Sequence, residues 1–136
     1  NYNFTYTYYK TFGYKTSLIR PPEKLSFLEF VKNTSIATSS MILKRKILKG
    51  IKFTNTSICE DYYFKCSALQ KISAAHCLKS FETHYRLRKN SMQSNNFKNL
   101  YWIWKINKDY NNFNFLKNFN SVLNISLSSF KRYGLK

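Results

Sequence analysis

Acidic side chains are scarce in this chain: 6 Asp and Glu stand against 23 Lys and Arg in 136 residues. Two of them, Glu60 and Asp61, are adjacent in "ICEDYYFKC", residues 58–66. A carboxylate can act as a general base when it is ionised and within hydrogen-bond reach of a hydroxyl. The same two residues also suit the first turn of a helix, where each negative charge is worth about 0.3–1 kcal/mol. Spacing alone favours the helix start and leaves the chemistry open. The other reactive groups are Cys59, Cys66 and Cys77. Their odd number and wide spacing do not suggest a disulfide framework. Cys77 follows His76, yet the close Cys-x-x-Cys pairs of structural zinc sites are missing. The cysteines therefore read as buried thiols in a reducing compartment.

The elements that must position these groups can be read in order. "YNFTYTYY", residues 2–9, alternates aromatic with polar until its last step, which is a strand pattern. A turn around Gly13 and a return through "YKTSLIR" predict a hairpin, ended by Pro21 and Pro22. Ser26 and Glu29 form a capping box for a helix over about 26–32. "NTSIATSSMIL" is expected to run as a strand, with Ile36, Thr38, Ser40 and Ile42 on one face. Its small residues suit a crowded strand near backbone or ligand, or an ordinary central strand. "KRKILKG" predicts a short helix stopped by Gly50, and a longer helix starts at Glu60. "ISAAHCLKS" and "FETHYRLR" read as extended pieces, and "KNSMQSNN" as a polar loop. Helices follow from about residue 97 and over roughly 113–131, interrupted at Asn111 and Asn112. This order is mixed α/β, and its strands call for neighbours from a larger domain.

Composition narrows the classes. Hydrophobic residues make up 43% of the chain, so it is expected to fold. No apolar run approaches the roughly 18–20 residues that span a bilayer, and no signal peptide is visible. The first residue is Asn1 rather than Met, so the chain reads as a piece whose start lies upstream. The net charge of +17 has two readings. Abundant Asn, Lys, Ile, Phe and Tyr are the joint bias of an AT-rich coding sequence, which raises Lys without any selected partner. Alternatively, the charge serves a polyanion site. The aromatic, basic tail also has two readings. It packs its aromatics on the core or on the missing half of a larger domain, or it rests as an amphipathic helix on a membrane interface.

"NTSIATSSMILKRKIL", "CEDYYFKCSAL" and "HYRLRKNSMQSNN…LYWIWKI" occur in that order over nearly the whole chain. The set resembles the C-terminal half of bacterial family 2 glycosyltransferases, which build surface polysaccharides such as lipopolysaccharide and capsule. The resemblance implies an α/β fold, the C-terminal part of a Rossmann-like A-type domain with a mixed sheet, flanking helices and a helical tail. Residues 1–92 would be the acceptor side with the catalytic base, and residues 93–136 the tail. The implied reaction is inverting transfer from a nucleotide-sugar donor to a glycan or lipid-linked acceptor.

By the same resemblance, Asp61 is the base and Glu60 its neighbour beside the acceptor or metal-bound groups. Arg86, Arg88 and His84 would lie near the donor diphosphate, and Thr38, Ser39 and Ser40 would line the acceptor pocket. The family holds a divalent cation, Mg or Mn, on an Asp-x-Asp motif of its N-terminal half. Here the only Asp residues are Asp61 and Asp109, so no metal ligand is assigned, and the isolated chain is not expected to turn over. The enzyme is expected in the cytoplasm, or on the inner face of the plasma membrane if the tail rests there. Nucleic acid is not an expected partner on this reading. The competing reading is a small, basic, non-catalytic module that binds nucleic acid or membrane, with aromatics stacking on bases.

Overall fold

The computed structural model describes residues 2–89 and 96–133. Its centre is β1 (Phe4–Gly13), flanked on one side by β5 (Ala75–Leu87), which runs parallel to it. On the other side β1 pairs antiparallel with β2 (Ser17–Ile19) and β4 (Met41–Leu43). The short β3 (Lys24–Leu25) closes against the start of β5. The sheet is therefore mixed, with helices flanking it. This is the expected α/β class, consistent with a Rossmann-like fold. Parallel pairing of β1 with β5 requires a long crossover. That crossover carries α1 (Phe27–Asn33) and α2 (Glu60–Leu69).

Local sequence explains much of this. The hairpin forms as expected, with Tyr9 opposite Ile19. Gly13 ends β1 at φ +94°, and a Cβ there would stand 2.6 Å from the Leu87 carbonyl oxygen. Helix α1 starts at the expected capping box: the Ser26 N–H donates to Glu29 Oε2 at 2.7 Å, and the Glu29 N–H to Ser26 Oγ at 3.4 Å.

Two expectations need correction. The strand expected through Ile36–Leu43 is a 3-10 turn at Thr38–Ser40, with only Met41–Leu43 extended. Hydroxyl groups offer the backbone an alternative to a ladder. Ser40 Oγ donates to the Ala37 carbonyl at 2.8 Å, and Thr38 Oγ1 donates to Asp61. The two extended pieces around residue 80 are one strand, β5, of 13 residues. Its register against β1 slips twice, between Thr7 and Tyr8 and between Tyr8 and Tyr9. The slips fall where the aromatic–polar alternation of "YNFTYTYY" breaks. They switch the buried phase of β1 from Phe4 and Tyr6 to Tyr9 and Thr11.

The C-terminal helices α3 (Asn96–Asp109) and α4 (Phe115–Tyr133) pack on the same core. Ile103, Ile106, Phe113 and Ile125 bury with Phe30, Val31 and Tyr62. A buried polar network ties these helices together. Asn107 Oδ1 accepts from Tyr62 Oη at 2.8 Å and from Asn111 Nδ2 at 3.0 Å. Its Nδ2 donates to Asn118 Oδ1 at 3.1 Å and to Ser121 Oγ at 3.0 Å. Ser121 in turn donates to the Val31 carbonyl of α1. Asn107→Ala leaves several buried partners unsatisfied, so it should lower unfolding free energy by about 1–3 kcal/mol. Urea unfolding measures this, and an unchanged midpoint would rule out the network's role in stability.

Candidate functional site

A cleft of about 650 Å³ opens over one face of the sheet, where Tyr9 of β1 and Tyr85 of β5 meet the start of α2. Strand alternation and the register slip set that face. Tyr9 and Tyr85 contact edge to face, with ring centroids 6.2 Å apart. Phe53 adds a third aromatic wall and stacks on Phe64 of α2 at 4.5 Å. The polar side carries Thr34, Thr38, Ser39, Glu60, Asp61 and Lys65. Aromatic walls with a few convergent polar groups are the usual make-up of a small-molecule site.

Two non-glycine residues beside the cleft have left-handed backbones: Thr34 at φ +51° and Cys59 at φ +64°. For a β-branched residue such as Thr34 this is uncommon, and strain of about 1–3 kcal/mol is typical. Cys59 immediately precedes α2, and its carbonyl accepts from the N–H groups of Tyr62 and Tyr63. Its conformation turns the chain so that Glu60 and Asp61 open the helix at the cleft wall. Burial pushes the Cys59 thiol up to about 12, with Asp61 and Glu60 adding to the shift. Cys66 is buried as well and is likewise raised to about 12, chiefly by burial. Both are therefore unreactive thiols at neutral pH.

Asp61 is the centre of the polar side. Its Oδ2 accepts from Thr38 Oγ1 at 2.7 Å and from Lys65 Nζ at 2.9 Å. Lys65 Nζ also donates to the Ile36 carbonyl at 2.9 Å. The Lys65 side chain is 6% exposed and that of Asp61 27%. Burial by itself would raise the Asp61 carboxyl. The Lys65 charge and hydrogen bond, the Thr38 hydroxyl and the Tyr62 backbone N–H outweigh it and hold the carboxyl below its usual value. Asp61 is therefore an ionised carboxylate at neutral pH, oriented from one oxygen and partly open to the cleft.

The structure brings together Glu60, Asp61, Thr38 and Ser39. It places the other expected residues elsewhere. Ser40 is buried with its hydroxyl on Ala37, outside the lining. His84 and Arg86 alternate with Tyr85 on β5, so they project from the opposite face, and both are exposed. The Arg86 guanidinium lies over the Phe12 ring at 5.3 Å. Arg88 follows the strand and is exposed. None of these three lines the cleft. Lys65, Tyr9, Tyr85 and Phe53 were not expected from sequence. For Lys65 a signal existed, since Asp61 and Lys65 stand at i and i+4 on a helix.

A divalent cation needs a set of oxygen donors. The cleft offers two carboxylates, and Lys65 already neutralises one of them. Among the described residues, no three His, Cys, Asp or Glu side chains come together to hold a metal. The described residues of the cleft do not by themselves make a cation site.

Over 91 residues the chain is 33% identical to the UDP-Glc:alpha-D-GlcNAc-diphosphoundecaprenol beta-1,3-glucosyltransferase WfgD of Escherichia coli. The chain is related to a glycosyltransferase. The match takes in 65% of this chain and 35% of that relative's length. No family model matches the chain, and no solved structure does so significantly.

Proposed function

We propose that this chain is part of a family 2 glycosyltransferase of the A-type fold. The enzyme transfers a sugar from a nucleotide-sugar donor to a glycan or lipid-linked acceptor in cell-surface polysaccharide synthesis. The observation that carries this reading is the ionised Asp61 carboxylate on the wall of an aromatic cleft, held by Thr38 and Lys65. The relative named above supports the donor and acceptor classes, since its name specifies UDP-glucose and a diphosphoundecaprenol-linked sugar.

On this reading Asp61 takes the proton of an acceptor hydroxyl while that oxygen attacks the anomeric carbon. The bond from that carbon to the donor diphosphate breaks, and the nucleoside diphosphate leaves with the electron pair. Tyr9, Tyr85 and Phe53 hold the apolar faces of the acceptor sugar and shield the reacting hydroxyl from water. Because the chain spans only 35% of its relative's length, the remainder of the donor site is assigned to sequence outside it.

A single displacement inverts the anomeric centre. Full-length protein, a nucleotide-sugar and a lipid-linked GlcNAc acceptor should therefore give a product of inverted configuration. NMR of the new anomeric proton reads it. A product of retained configuration would sink the assignment of Asp61 as a base in one-step transfer.

A further inference from the structure

Helix α4 is packed inside out. Toward the core it presents Asn118, Ser121 and Ile125, while Phe115, Leu116, Phe119, Leu123, Leu127 and Phe130 are 48–76% exposed. At 100° per residue those six apolar side chains fill one arc of about 120°. Lys117 and Lys131 share the adjoining polar arc with Asn120 and Asn124. The apolar arc continues onto α3. Phe115 stacks with Phe119 at 6.4 Å and meets Trp104 edge-on at 5.6 Å, and Tyr101 and Phe97 stand exposed along the same helix. Apolar side chains exposed together across two helices mark an interaction site.

We propose that the α3–α4 face is a docking surface for an anionic lipid bilayer, with α4 lying in the interface plane. Charge complementarity selects the occupant. Across α3 and α4, Lys98, Lys105, Lys108, Lys117 and Lys131 stand against Asp109 alone, while Arg132 turns to the core side and donates to the Asn33 carbonyl and Oδ1 of α1. Anionic lipid headgroups match a cationic rim, and each Lys or Arg near such a surface adds attraction. Trp and Tyr are favoured at the same depth, because their rings carry a polar atom on an apolar body. None of the helices described is long and apolar enough to cross a membrane. The surface goes beyond the proposed transfer reaction and does not depend on it.

Vesicle sedimentation of the full chain tests this. Binding is expected to phosphatidylethanolamine–phosphatidylglycerol vesicles, weaker at high salt, and at least about tenfold weaker to phosphatidylcholine vesicles. Phe115→Ser combined with Phe119→Ser should cut binding about tenfold or more while the melting curve holds, because both side chains are largely exposed. Lys117→Glu combined with Lys131→Glu should remove the anionic preference. Binding is the readout, so an inactive transferase would leave the test intact. Absence of binding by the folded protein overturns the proposal, as does equal binding by the Phe115→Ser/Phe119→Ser variant. A dimer that these substitutions dissolve would assign the face to a second copy instead.

Discussion

In the full-length protein, Asp61→Asn should lower kcat for sugar transfer by about 10²–10⁴-fold, the range of a lost general base. The substitution keeps the side chain's shape. Thr38 Oγ1 and Lys65 Nζ, now bonded to Oδ2 at 2.7 and 2.9 Å, can both still donate to an amide oxygen. What disappears is the negative charge and the ability to take a proton. The KM for the nucleotide-sugar should stay within about threefold, because the donor is bound before the base acts. Asp61→Asn also leaves Lys65 buried opposite a neutral group, so a melting curve must accompany the assay. A folded variant with near-normal kcat would remove Asp61 from the mechanism. If Glu60→Gln proved the more damaging change, the base would be the neighbouring carboxylate, which lines the same cleft.

How far the sequence reached is clearest at single residues. The capping box at Ser26 and Glu29 and the hairpin around Gly13 are local signals, and both formed. The scarcity of acidic residues drew attention to Asp61, but its spacing read only as a helix start, and the candidate role came from the family resemblance. Thr38 and Ser39 reach the cleft, though on a turn rather than a strand. Tyr9 and Tyr85 were not visible as wall residues. Period-two alternation shows which residues share a face, but not which face is buried, and the register slip near Tyr8 reverses the answer midway along β1. The same gap explains His84 and Arg86, which alternate away from Tyr85. In α4 the periodic apolar stripe was legible, but its direction was not. The network around Asn107 recruits the polar side inward and turns the apolar side out. Such networks depend on partners far apart in sequence, which no local pattern contains.

Lys65→Met should have two linked effects, one on stability and one on the pH dependence of transfer. Met keeps the length and packing of the Lys stem but removes its charge. Asp61 then sits half-buried without its cation. Breaking a buried pair costs about 3–5 kcal/mol, and because Asp61 is 27% exposed the expected loss is nearer 2–3 kcal/mol. In the unmodified protein the Asp61 carboxyl lies below its ordinary value, so its ionised form stabilises the fold at pH above the unfolded value. That stabilisation is lost as pH falls through the folded value. The variant lacks it, so the stability gap should be widest near neutral pH and should narrow as acid protonates Asp61. Urea unfolding at neutral and at acid pH reads this, and a gap that does not change with pH would show that Lys65 contributes through packing alone. The kinetic effect follows from the same loss. Without Lys65, burial pushes the Asp61 carboxyl up against only Thr38 and the Tyr62 N–H, and the acid limb of kcat/KM should move to higher pH. An acid limb left in place would place the catalytic proton on another group.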